Sequence, residues 1–109
     1  MLIYHVATLA DWTAAQAAGA YTTSTYGVSL AQEGFLHCSR EDQWRGVLSR
    51  YYTDVPEPLV LLAIDTDLVT VPVAEEPPAP GVSETYPHVY GALDPAAVVE
   101  VRSLDETSR

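Results

Sequence analysis

The residues of this chain best suited to acid–base chemistry are its three histidines, His5, His37 and His88. Imidazole titrates near neutral pH, so each ring can give or take a proton under ordinary conditions. All three lie in strand-like segments beside large apolar or aromatic residues, namely IYHVA, FLHCS and PHVYG. We expect the three rings to meet in one cleft, and the alternative for each is a hydrogen-bonded structural role.

Side chains alternate between the two faces of a strand, which separates sequence neighbours. In FLHCS, His37 shares a face with Ser39, whereas Cys38 points the other way. We therefore expect that His37 and Cys38 do not act as a pair and that Cys38 is a buried small hydrophobe. By the same rule, Tyr90 shares a face with His88.

Ser39 and Arg40, which follow His37 in the sequence, are candidates for ligand binding. Ser39 either caps the following helix or binds a ligand anion at the junction of strand and helix, where Arg40 would supply positive charge. Tyr21 and Tyr26 lie in a polar segment and are candidates for stacking on a flat ligand ring. In an acid–base reaction, the hydroxyl of Tyr90 or Ser39 would bind a carbonyl oxygen of the substrate.

The elements that must position these residues follow from the hydrophobic pattern. Strands are predicted at 1–6, 35–38, 58–64, 68–73, 87–91 and 97–104. Helices are predicted at 11–19, between a cap at Thr8 and Gly19, as one turn at 29–34, and from about 40 to 52. In the last helix we expect a buried stripe of Trp44, Val47, Leu48 and Tyr51.

Between these elements, residues 20–26 are predicted to be loop, and the proline-rich segment EEPPAPGVSET at 75–85 a mobile loop or lid near the cleft. Helices that come early and strands that follow predict an α+β fold. We expect one small domain over residues 1–109, in which two main helices pack on a strongly bent, mostly antiparallel sheet.

Charge narrows the class of partner. Fifteen acidic residues against five basic ones give a formal net charge of −10, and the sequence has no lysine. Such a surface repels nucleic acids and anionic membranes, so a small-molecule partner is expected. Ligand phosphates would have to be met locally by the arginine cluster of Arg40, Arg45 and Arg50. No apolar run is long enough to cross a bilayer, and the single cysteine fits a cytoplasmic protein, either a monomer or a homodimer.

Several motifs together resemble a known family. They are YHV near the N-terminus, Trp12 in a short helix, EGFLHCS with Gln43 behind it, LLAID, and YPHVYGAL near the end. On these motifs the chain is identified as a member of the bacterial domain of unknown function 952, over nearly its whole length. The resemblance implies a fold similar to that of the ADP-ribosyltransferases, enzymes that cleave NAD at the nicotinamide–ribose bond.

The same resemblance implies roles for particular residues. His5, on the first strand, would contact the adenosine-side ribose of NAD, and Ser39 would follow the second strand with His37 two residues before it. Tyr21 or Tyr26 would stack on the nicotinamide.

A carboxylate would stabilise the positive charge that develops as nicotinamide leaves. Glu75 and Glu76, just before the first proline of the proline-rich segment, are the candidates that the resemblance favours.

Four functions remain open at this point. The first is an enzyme that binds NAD or a related nucleotide and cleaves or transfers ADP-ribose. The second is a metal-independent acid–base enzyme, a cyclase, dehydratase, isomerase or hydrolase, acting on a small apolar molecule of a biosynthetic pathway through the clustered histidines. The third is a zinc or iron site made of the histidines with Glu75 or Glu76, which the spacing does not favour. The fourth is a binding module without chemistry.

Overall fold

The computed structural model describes residues 1–104, which form a small α+β domain with antiparallel sheets and few helices. The elements in chain order are β1 (Leu2–Thr8), α1 (Leu9–Ala18), β2 (Thr23–Thr25), β3 (Val28–Ser29), α2 (Leu30–Glu33), β4 (Leu36–His37), α3 (Trp44–Tyr51), β5 (Leu59–Asp65), β6 (Val73–Glu76), β7 (Tyr86–Val89) and β8 (Val98–Leu104). Within this range, no helix is long and apolar enough to cross a membrane.

The first sheet has the strand order β1–β5–β8, so the apolar run of β5 lies at its centre. One face of β5, represented by Leu62, packs in a core with α1 and the second sheet. The other face, represented by Leu61, packs in a second core with α3. The sequence-based expectation that this strand is covered on both faces is confirmed, because alternate residues serve two different cores.

The second sheet has the order β4–β7–β6 and is distinct from the first, so the expectation of one strongly bent sheet is wrong. The two sheets meet where Tyr4 and Ser39 exchange backbone hydrogen bonds of 2.7 Å in both directions. This contact is a single bridge rather than a ladder, because the chain turns away directly after Ser39. The bridge places β4 of the second sheet beside β1 of the first.

Local capping explains where the first helices begin and end. The Thr8 hydroxyl accepts a hydrogen bond from the Asp11 amide at 3.0 Å, and α1 ends at Gly19 in the left-handed region. Ser29 forms a capping box at the start of α2, which ends at Gly34 with a φ of 94°. The predicted cap at Thr8 and the predicted ends at Gly19 and Gly34 are confirmed, and the capping box at Ser29 is an additional finding.

The start of α3 differs from the prediction. Ser39 does not cap it, since the Ser39 backbone is held in the extended bridge to Tyr4, and the helix begins only at Trp44 with Gln43 at its N-cap. The buried stripe also differs. Tyr51 is 65% exposed, and Tyr52 is buried in its place.

Three other boundaries need correction. The predicted strand at 68–73 is wrong, because the Asp65 side chain accepts from the Asp67 amide and turns the chain into a 3-10 turn at Thr66–Leu68. A short strand, Thr23–Thr25, lies in the segment predicted to be loop. Glu75 and Glu76 belong to β6, and the irregular segment, here called the β6–β7 loop, covers residues 77–85.

Candidate functional site

A groove with a volume of about 320 Å³ opens where the two sheets and α3 meet. Its walls are largely aromatic and aliphatic, and they include Tyr4, Val47, Tyr51, Tyr52, Pro78 and Tyr86. The polar residues that line the groove include Thr25, Glu33, His5, His37, Ser39 and Arg50. A concave, mostly apolar site with a few convergent polar groups is the usual form of a small-molecule site.

The titratable pair in the groove is His37 with Glu33. The imidazole Nε2 lies 3.1 Å from Glu33 Oε1, and both side chains are about one-third exposed. Because an ionised carboxylate only accepts, Nε2 carries the proton and Nδ1 carries the lone pair of the neutral ring. Desolvation lowers the pKa of His37, while Glu33 opposes that shift. The neutral ring with a free Nδ1 is therefore favoured at neutral pH.

Ser39 supplies a hydroxyl beside this pair. Ser39 lines the groove and is 5% exposed. Its Oγ makes no hydrogen bond to residues 1–104. The backbone on both sides of it is fixed by the bridge to Tyr4. The backbone of Ser39 is thus fixed, while its hydroxyl has no hydrogen-bond partner in the described part of the chain.

His5 lies at the base of the groove, but both of its ring nitrogens are engaged. Nδ1 donates to the His37 carbonyl at 2.5 Å, and Nε2 accepts from the Tyr21 hydroxyl at 2.8 Å. Burial lowers the pKa of His5 to about 4 and raises the pKa of Tyr21. At neutral pH the ring is uncharged, and it ties β1 to β4 and to the segment after α1.

A separate group of side chains, here called the outer cluster, consists of Phe35, Glu76, His88 and Tyr90. Nδ1 of the buried His88 donates to Glu76 Oε1 at 2.9 Å, and Tyr90 donates to the same oxygen. These two donors lower the pKa of Glu76. The His88 ring stacks on Phe35 at 4.0 Å, and its Nε2 is buried without a hydrogen bond to residues 1–104.

Arg40 is engaged in holding the β6–β7 loop. Its Nη1 donates to Glu75 Oε1 at 2.5 Å and to the Thr85 carbonyl at 3.0 Å. Gln43 donates to the same carbonyl at 2.8 Å and to Glu84 at 3.0 Å. The positive charge that the sequence offered to a ligand is therefore paired with a carboxylate of the protein.

The structure brings some of the predicted site residues together and leaves others apart. The predicted residues that line the groove are His5, His37 and Ser39. Those that lie elsewhere are Tyr21, Arg40, Glu75, Glu76, His88 and Tyr90. The His37 and His88 rings are nevertheless only 5.3 Å apart, because the two residues are cross-strand neighbours in β4 and β7.

Comparison of the sequence with models of protein families shows which family the chain belongs to. The family model described as "Protein of unknown function (DUF952)" matches residues 6–101. The chain belongs to this family. No curated protein matches it.

Solved structures similar to this DUF952 chain come from Caulobacter crescentus. The crystal structure of protein CC0527 shares 30% identity over 96% of this chain and 87% of that one, with a TM-score of 0.79. The solution NMR structure of CC0527 shares 28% identity over 95% of this chain and 84% of that one, with a TM-score of 0.75. The fold is thus shared with an experimentally determined structure.

Among the polar groove residues of this DUF952 domain, sequence reasoning did not single out Thr25 or Glu33 and named Arg50 only as part of an arginine cluster. Glu33 lies four residues before His37, and the intervening Gly34 turns the chain so that the two side chains meet. Arg50 belongs to the arginine cluster noted in the sequence, and its place on α3 directs it to the groove. A helical wheel drawn through Val47 and Arg50 would have been the signal for it.

The ligand set of the metal hypothesis is not assembled. Within residues 1–104, no three side chains of His, Cys, Asp or Glu lie close enough together to hold a metal ion. Cys38 is buried in the apolar core, where desolvation raises the pKa of its thiol to about 12.

Proposed function

We propose that this protein is an acid–base enzyme that acts on a small molecule in the groove, with His37 as its general base. The observation that carries the proposal is the His37–Glu33 pair, which uses Nε2 of His37, leaves its Nδ1 unbonded within residues 1–104, and lines the same groove as Ser39. A carboxylate that holds one imidazole nitrogen fixes the tautomer and leaves the other nitrogen basic.

The chemistry would be proton abstraction next to a carbonyl group. His37 Nδ1 takes a proton from carbon, and the electron pair of that C–H bond moves to the carbonyl oxygen. Ser39 Oγ donates a hydrogen bond to this oxygen as its negative charge develops. The imidazolium then returns the proton to another position of the substrate, which gives isomerisation, or to a leaving hydroxyl, which gives dehydration. Cyclisation would follow when the enolate carbon attacks a second carbonyl carbon of the same molecule, whose π electrons move to its oxygen, and that oxygen takes the proton from the imidazolium.

The dimensions of the groove favour a small substrate. Its volume of about 320 Å³ lies at the lower end of the range of roughly 300–1,000 Å³ that small-molecule sites span. Aromatic walls would bind a ring of the substrate and exclude water from the base. A small-molecule biosynthetic step is the setting that fits these features.

Deuterium exchange tests the proposal without knowledge of the natural substrate. The protein is incubated in D₂O with a panel of ring-bearing carbonyl compounds, phenylpyruvate among them, and loss of the α-proton signal is followed by NMR. We expect exchange above the buffer rate for at least one compound. Because a general base contributes roughly 10²–10⁴-fold, His37→Gln should return that rate to near the buffer value.

Matched glutamate variants control for loss of charge. Glu33→Gln should slow exchange, whereas Glu100→Gln, on an exposed residue of β8 outside the groove, should leave it unchanged. The acid limb of the pH–rate profile should lie below the ordinary histidine range, because the pKa of His37 is lowered. If no compound exchanges above buffer and none shifts the His37 ring signals, the proposal is wrong.

We propose NAD, or a related nucleotide, as a second candidate ligand, together with an ADP-ribosyltransferase-like fold. The order of elements supports it, since a histidine lies on β1 and Ser39 lies between β4 and α3. The bonds of His5 to Tyr21 and of Glu76 to His88 weigh against it, since both side chains would have to be released. Calorimetry with millimolar NAD tests binding, and release of nicotinamide tests cleavage. Absence of both would rule this candidate out.

A further inference from the structure

Arg50 is set apart from the other arginines of the described chain by its lack of a carboxylate partner. Arg40, Arg45 and Arg102 lie 2.5 Å, 3.5 Å and 3.5 Å from carboxylate oxygens. Arg50 forms no such pair with any residue from 1 to 104, in a chain that has fifteen acidic residues. An unpaired cation is unexpected in so acidic a protein, where carboxylates are the most abundant neighbours.

The surroundings of Arg50 hold the guanidinium without neutralising it. Its Nη2 donates to the Tyr86 hydroxyl at 3.2 Å, and its Cζ lies 5.8 Å from the centre of the Tyr51 ring. Both contacts are with uncharged groups, and the Tyr86 hydroxyl in turn donates to Glu84 Oε1 at 3.4 Å. A guanidinium has five N–H donors in a planar fork, and the bond to Tyr86 uses one of them.

We propose that Arg50 is the anion-binding residue of the groove and that the substrate carries a carboxylate or a phosphate next to a flat ring. The fork of a guanidinium matches two oxygens of either anion. Tyr51 and Tyr86, which hold the arginine, also line the groove and offer ring faces for stacking. This proposal rests on the acid–base function above and names the substrate class of the same groove.

Long-range electrostatics strengthen the assignment. A formal net charge of −10 repels an anionic ligand from most of the surface. An anion can therefore bind only where a local cation outweighs that field. In the groove the unpaired cation is Arg50, because Arg40 is paired with Glu75 and Arg45 is not part of the groove lining.

Fluorescence titration with two probes of similar shape tests the proposal. 1-Anilinonaphthalene-8-sulfonate carries an anion beside a flat ring system, and N-phenyl-1-naphthylamine is its neutral counterpart. We expect Arg50→Met to weaken binding of the anionic probe about tenfold or more, since a hydrogen bond to a charged group is lost. Binding of the neutral probe should change less than twofold, and Arg50→Lys should recover part of the affinity for the anionic probe.

Arg45→Met is the matched control, since Arg45 also lies over an aromatic ring, 4.2 Å from the Trp44 centre, but outside the groove. It should leave binding of both probes unchanged. Displacement of the anionic probe by benzoate or by phenyl phosphate identifies the preferred anion. The proposal is overturned if Arg50→Met leaves the anionic probe bound as tightly, if Arg45→Met weakens it equally, or if neither competitor displaces it.

The outcome is separable from that of the proposed function. Exchange that depends on His37, together with probe binding that ignores Arg50, would retain the acid–base enzyme and reject the anion site. Probe binding that depends on Arg50, without any exchange, would retain the anion site and reject the enzyme.

Discussion

The two three-stranded sheets of this domain are held in different ways. The sheet β1–β5–β8 is apolar at its centre, and β5 is buried on both faces by two cores. The sheet β4–β7–β6 carries a histidine on each of two strands and two glutamates on the third, and its side chains are tied by directional polar contacts. The groove opens where the two sheets meet.

The two sheets also differ in how their contacts contribute to the free energy of unfolding. Full burial of one large aliphatic side chain contributes about 1.5–3 kcal/mol, whereas a typical hydrogen bond contributes a net 0.5–1.5 kcal/mol. We therefore expect the first sheet to supply most of the stability, so that the second can carry polar residues whose arrangement serves binding. Reactive side chains are supported by a scaffold that does not depend on them.

The largest effect should come from the centre of the first sheet. Leu62 is fully buried, so Leu62→Ala removes apolar contacts and leaves a cavity, which should lower the free energy of unfolding by about 2–5 kcal/mol. Its cross-strand neighbour Val101 is exposed, so Val101→Ala should change it by less than about 0.5 kcal/mol. Urea denaturation measures both. Equal effects would mean that the first sheet is not the main source of stability.

A protonation effect of comparable size should come from His5, which joins the sheets. Burial lowers the pKa of His5 in the folded protein to about 4, below the ordinary histidine value of 6.5, so the unfolded chain binds more protons between these pH values. Stability should therefore be fully present above pH 6.5 and should fall by roughly 3 kcal/mol as the pH drops towards 4.

His5→Asn serves as the comparison, since it cannot titrate. Urea midpoints measured from pH 4 to pH 7 should give a smaller slope for this variant than for the natural chain. Parallel slopes would show that His5 does not contribute to the pH dependence.

The polar contacts of the second sheet should give an intermediate effect. Gln43 is buried, and Gln43→Ala would leave the Arg40 amide without its acceptor and remove one of the two donors to the Thr85 carbonyl, at a cost of about 1–3 kcal/mol. Gln16, which is exposed on α1, offers Gln16→Ala as a control without effect. A Gln43 variant as stable as the Gln16 variant would contradict the view that polar contacts hold this sheet.

The smallest effect on stability should come from the outer cluster. Tyr90→Phe removes one of the two donors to Glu76, so the pKa of that carboxyl should rise towards its ordinary value. The denaturation midpoint should move less than it does in Gln43→Ala, because Tyr90 and Glu76 are partly exposed. A carbon-13 NMR titration of the Glu76 carboxyl measures the shift, and an unchanged titration would mean that Tyr90 does not bind it.

Sequence reasoning succeeded where the determinant is local. The apolar run of β5 and the cap of α1 at Thr8 depend on residues next to one another, and both were predicted. The start of α3 was not, because Ser39 is held by Tyr4, which lies 35 positions earlier in the sequence. A long-range backbone bridge outweighed a favourable capping pattern.

In the candidate site, too, sequence reasoning succeeded where neighbouring residues determine the structure. Alternation in FLHCS correctly placed His37 and Cys38 on opposite faces, since Cys38 lies in the apolar core while the His37 ring lies against that of His88. The partners of Arg40 and the isolation of Arg50 depend on where the β6–β7 loop lies, and no local pattern specifies that.

The bridge between Tyr4 and Ser39 has a mechanical consequence. Two backbone hydrogen bonds fasten the sheets at this point, and both residues form part of the groove wall. Breaking these two bonds, together with the neighbouring bond from His5 to the His37 carbonyl, would let the groove widen while the strands within each sheet stayed paired. The bridge thus acts as a hinge between the two sheets, and the hydrogen-exchange rates of the Tyr4 and Ser39 amides would measure how often it opens.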